Sequence, residues 1–116
     1  QIRRARPHIE QVEINPLQEQ GHQGVTLKCQ NVGGDAYDLK LEHTNIGFEI
    51  FLIGHVRYVP YQASFRLKIM YPKDLKGSED LDLKILSNDS AGRKHALKYI
   101  YAMDQERLIP LGAELG

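Results

Sequence analysis

The chain has 116 residues, with 15 basic and 15 acidic side chains, one cysteine and no tryptophan. This balance excludes a global positive field for nucleic acid, and a lone Cys29 excludes a disulfide framework. The hydrophobic 41% and charged 26% are those of one globular domain, and no apolar run reaches the ~20 residues of a membrane-spanning helix.

Gln1 to Arg6 carries Arg3, Arg4 and Arg6 and no acid, and Pro7 blocks a helix through it. Residues 1–7 therefore read as a basic linker or tail entering the domain. From His8 the apolar residues Ile9, Val12 and Ile14 alternate with polar ones, with a slip after Ile9 that suggests a bulge. Asn15-Pro16 predicts a turn and Gln18 to Gly24 a loop. Val25, Leu27 and Cys29 then alternate as a half-buried strand, Asn31 to Asp35 supplies turn chemistry, and Tyr37, Leu39 and Leu41 make the next strand.

Phe48 to Val56 is the most apolar stretch and predicts a strand buried on both faces, closed by Pro60. Phe65, Leu67, Ile69 and Tyr71 give the cleanest alternation, and Pro72 to Asp80 a polar loop. Leu81, Leu83 and Ile85 pair as a hairpin with Leu97, Tyr99, Tyr101 and Met103, around the turn Ser87 to Gly92. Residues 105–116 read as a C-terminal tail without a clear period, with at most one helical turn over Glu106 to Leu111. About seven short strands and no long helix predict an all-β chain, an antiparallel sandwich over residues 8–104.

Three passages carry a resemblance: VTLKCQNVGGDAYDLKLE (Val25 to Glu42), YQASFRLKIMY (Tyr61 to Tyr71) and LDLKILSNDSAGRKHALKYIY (Leu81 to Tyr101). With Asn31, Gly33 and Ala36 as N-x-G-x-x-A, and Asp89 and Gly92 as D-x-x-G, the chain resembles bacterial immunoglobulin-like sandwiches related to the cell-adhesion-related bacterial domain. The resemblance implies an immunoglobulin-like fold and no activity. Such domains often follow transmembrane helices, which implies a membrane tether upstream of Gln1 and makes residues 1–7 a membrane-proximal tail. Arg3, Arg4 and Arg6 would then place the domain on the cytoplasmic side.

The chemistry-bearing residues point to few sites. His8, His22, His43, His55 and His95 lack metal-ligand spacing, so no metal and no cofactor is expected. His55 follows the apolar run and reads as a core or rim histidine. Cys29 sits in phase with Val25 and Leu27 and behaves as a small hydrophobe. Arg93, Lys94, His95 and Lys98 form a small basic patch. Tyr58 and Tyr61 flank Pro60 in a loop, where they could meet a partner or a sugar ring, while Tyr71, Tyr99 and Tyr101 fall on core faces. The expectation is a non-catalytic interaction, scaffold or sensory module of a membrane-associated bacterial protein. A protein partner or self-association is favoured over a ligand, nucleic acid is not expected, and the alternative is a carbohydrate or small-ligand module using Tyr58 and Tyr61.

Overall fold

The computed structural model describes residues 6–19, 22–72 and 80–115. Its strands are β1 (Ile9–Glu19), β2 (His22–Asn31), β3 (Ala36–Glu42), β4 (Glu49–Ile53), β5 (Tyr58–Val59), β6 (Ser64–Pro72), β7 (Asp80–Asn88), β8 (Lys94–Ala102) and β9 (Arg107–Leu115). They form two antiparallel sheets, one ordered β1-β2-β6-β4 and the other β5-β3-β7-β8-β9. The chain is an all-β sandwich, with nine strands among the described residues, two more than the alternation alone suggested. The polar loop read over Pro72 to Asp80 falls mostly outside the described residues.

The inward faces are those the period-two pattern selects. Leu27 and Cys29 of β2, and Phe65, Leu67 and Ile69 of β6, meet Leu81, Leu83, Ile85, Leu97, Tyr99 and Tyr101 of β7 and β8. Tyr71 is only half-buried and tilts against Phe48, with ring centroids 5.8 Å apart. Tyr99 also ties the sheets together, because its hydroxyl accepts the Ile9 N–H at 2.9 Å. Burial pushes that phenol up to about 12.

Three expectations need correction. The Asn15-Pro16 turn is strand, and so are the described residues of the Gln18–Gly24 loop, with residues 20 and 21 outside them: β1 runs on to Glu19, Pro16 lies opposite Val25, and β2 begins at His22. Pro16 is tolerated because β1 is an edge strand, where one side of the backbone needs no ladder partner. The suspected bulge is real, with the register shifting between Gln11 and Glu13. The C-terminal tail is β9 rather than a helical turn, paired with β8 along its whole length. Pro110, Gly112 and a bulge hide its period, so pairing and not patterning makes it a strand.

The third correction concerns the apolar run. Phe48 to Val56 is not buried on both faces. Only Glu49–Ile53 forms β4, which among the described residues pairs with β6 alone. Ile50 points inward, while Phe51 and Ile53 remain 47% and 41% exposed.

The registers also fix the poles of the sandwich. Ile9 pairs with Asn31, Tyr37 with Asn88, Asn88 with Lys94, and His95 with Leu115. The short Asn31–Ala36 turn joins the two sheets at this pole, so β1 begins and β9 ends there.

Candidate functional site

Asn31 shows why the N-x-G-x-x-A passage is built as it is. It follows Leu27 and Cys29 in phase, so its side chain points into the core, where it is fully buried. Its amide donates to the Gly34 and Val59 carbonyls, each at 2.8 Å. Its Oδ1 accepts the Gly33 N–H at 3.0 Å and the His8 N–H at 3.2 Å. All four side-chain positions are filled, which is how a buried amide is tolerated. Gly33 must be glycine, because a Cβ there would run into the Arg6 carbonyl and stand 2.6 Å from the His8 nitrogen. Ala36 is fully buried beneath the turn.

The D-x-x-G turn is equally specific. The Gly92 N–H donates to the Asp89 carbonyl at 2.9 Å, and Gly92 takes φ +80°, a conformation glycine adopts without a Cβ clash. The Asp89 carboxylate accepts the Ala91 and Arg93 backbone N–H groups, each at 2.9 Å. It also accepts Arg93 Nε at 3.1 Å and meets His95 Nε2 at 2.8 Å. These donors, the His95 contact foremost, hold the carboxyl well below the usual carboxylate range. His95 is itself buried, and its Nδ1 has no hydrogen-bond partner among the described residues. The basic patch read around Arg93 therefore shrinks to the exposed Arg93 and Lys94, with Lys98 half-buried. His95 turns inward, and Arg93 is bound to Asp89.

A cleft of about 650 Å³ opens nearby, with Asp38, Lys40, Arg57, Asn88 and Lys94 among its walls. Neither Tyr58 nor Tyr61 lines it. Those two tyrosines lie 48% and 40% exposed beside Asp35. The Tyr58 hydroxyl donates to Asp35 Oδ2 at 3.4 Å, and the Tyr61 backbone N–H donates to Asp35 Oδ1 at 3.0 Å. The Tyr58 ring stacks on Tyr37 with centroids 4.8 Å apart.

Arg3 and Arg4 lie outside the described residues. Arg6 is exposed, but its carbonyl accepts the Gly34 N–H at 2.8 Å and the following Pro7 is buried. No helix among the described residues is long and apolar enough to cross a membrane. The histidines do not converge either: no group of three or more His, Cys, Asp and Glu able to hold a metal occurs among the described residues. His55 is exposed rather than in the core or at its rim. Cys29 is buried, and desolvation pushes its thiol up to about 12, far from a reactive thiolate.

The feature that sequence reasoning missed is the outer edge of β4. Gly47 and Gly54, both at positive φ, bracket this strand and let the chain turn at either end. Between them Phe51 and Ile53 present apolar side chains to solvent, beside a fully exposed Ile46. The signal was present in FEIFLIG: Glu49 in phase with Phe51 and Ile53 marks that face as the solvent face. No protein-family profile, curated protein or solved structure matches this chain.

Proposed function

We propose that the chain is a non-catalytic interaction module on an immunoglobulin-like sandwich, within a bacterial protein held at a membrane. One observation carries the interaction reading: a sheet edge, β4, that has no partner strand on its outer side among the described residues and bears exposed Phe51 and Ile53. Such an edge offers backbone donors and acceptors together with apolar anchors, the requirements of strand addition. The membrane position rests on Arg3, Arg4 and Arg6 ahead of Pro7. A photo-crosslinking amino acid at position 51, in cells that make the full protein, tests the interaction. It should yield one discrete protein adduct, while the same probe at Lys40, on the opposite sheet, should not. No adduct at 51, or the same ladder at both sites, would sink the reading.

A second reading has its own observation, the exposed Tyr58 and Tyr61 gathered around the Asp35 carboxylate. Aromatic faces beside a carboxylate suit a sugar ring. Retention on a glycan array, lost in Tyr58→Ala, is the expected result; a blank array removes this alternative.

A further inference from the structure

Among the described residues the sandwich has four strand edges, and three carry devices that discourage pairing. β1 has Pro16 and a bulge between Gln11 and Glu13. β9 has Pro110, Gly112 at φ +137° and a register shift opposite Lys98 and Tyr99. β5 is only two residues long. β4 has none of these. It has no proline, no bulge, no lysine and two exposed apolar side chains. Natural sheets blunt an edge unless it is used.

We infer that the β4 edge pairs antiparallel with the β4 edge of a second copy of this chain. The inference rests on the interaction reading above and names its partner. The argument is self-complementarity. Outward-facing residues must stay on one face across the joint, and a two-fold axis through Phe51 does this. Phe51 then meets Phe51 of the second copy, and Ile50 meets Leu52 on the core side. Glu49 comes opposite the second copy's Ile53. In that copy Ile53 pairs with Arg66 on β6, so the same cross-strand row reads Glu, Ile, Arg. Neighbouring strands are about 4.8 Å apart, so an exposed Glu49 carboxylate and an exposed Arg66 guanidinium can meet over the isoleucine. Three of the five pairs across the joint set apolar against apolar, and in the other two Glu49 reaches past Ile53 towards the base. A zero net charge adds little repulsion between copies.

Five residues of edge bury much less than the ~1,200 Å² of a stable interface, so the dimer is a weak one. Sedimentation equilibrium of the intact chain from about 10 µM to about 1 mM spans the range of such contacts. The weight-average mass should climb towards twice the chain mass. Phe51→Lys and, separately, Ile53→Glu should weaken the association at least about tenfold, the first by setting two lysines against each other across the axis and the second by setting an acid opposite Glu49. Far-UV circular dichroism checks that both variants fold. Phe51→Cys should form a disulfide-linked dimer under mild oxidation, because facing residues of an antiparallel pair lie within disulfide range. Val12→Cys, equally exposed on the β1 edge, should not.

A chain that stays monomeric throughout, and whose Phe51→Cys variant gives no disulfide-linked dimer, overturns the inference. So does a dimer that Phe51→Lys leaves intact. If the probe at position 51 then links to a different polypeptide, the interaction reading stands while the second copy is excluded.

Discussion

Asn31→Ala should unfold at a much lower urea concentration than the parent chain, with a loss of roughly 3–5 kcal/mol. The substitution strips partners from the Gly33 and His8 N–H groups and from the Gly34 and Val59 carbonyls. Each buried group left unpaired costs about 1–3 kcal/mol, less where water enters the space. Those four groups come from the start of β1, the Asn31–Ala36 turn and β5, so one side chain joins segments far apart in sequence. Asn31→Asp keeps the shape but turns a donor into an acceptor, against two carbonyls. It should be worse than alanine near pH 7 and recover part of the loss as the pH falls and the acid protonates. Asn45→Ala is the control. Asn45 also bonds two backbone groups, both of Asp82, but in an exposed position, and should cost no more than about 1 kcal/mol. Equal effects at the two asparagines would refute the account.

Asp89→Asn should lower the melting midpoint by several degrees and flatten its dependence on acid. An amide can still accept the Ala91 and Arg93 N–H groups through one oxygen. Its NH₂ then faces two donors, Arg93 Nε and His95 Nε2, where the carboxylate accepted both. The imidazole can relieve this only by moving its proton to Nδ1, which has no acceptor among the described residues. The sign of the pH effect follows from the lowered Asp89 carboxyl. The folded state binds that proton more weakly than an unfolded aspartate, whose ordinary value is about 3.9. The stabilisation is therefore complete above that value and is lost as pH falls below it. Thermal melts between about pH 7 and about pH 2.5 should narrow the gap between the two proteins steadily towards the acid end. Parallel curves would mean that Asp89 is not the titrating group.

The core strands were legible because each has one wet face. In β2, β6, β7 and β8 the apolar residues fall on every second position, and most of those positions are buried, with Met70, Ala96 and Ala102 buried on the other face as well. Reading the same phase one step further also finds the polar interior. Asn31 follows Cys29, Ser87 follows Ile85, and His95 precedes Leu97, all on inward positions, and all three are buried. What could not be read is pairing. Pro16 and Pro110 are turn signals in isolation, and only a neighbour on one side converts them into edge strand. The apolar run at β4 misled for the opposite reason. Apolar density suggests burial on two faces, whereas here one face is core and the other is a surface. In β3 a bulge at Asp38, with φ +54°, spaces the buried Ala36 and Leu39 three apart and breaks the alternation that Tyr37, Leu39 and Leu41 implied.

The entry of β1 and the exit of β9 at one pole have a mechanical consequence. A load applied between Ile9 and Leu115 acts at a single end of a body 49 Å long. It is directed across the strands rather than along them. The bonds of an antiparallel ladder run perpendicular to its strands, so such a load opens them in succession and never shares itself among them. β1 and β9 would peel from the Asn31 and His95 ends before the central strands feel tension. Gln11, which holds Leu108 N–H at 2.8 Å and the Glu106 carbonyl at 3.0 Å, ties the start of β1 to the far end of β9, which peeling from Leu115 reaches last. Fixed at both ends in a longer polypeptide, this sandwich would hang to one side as a pendant and leave the line of force to its attachments.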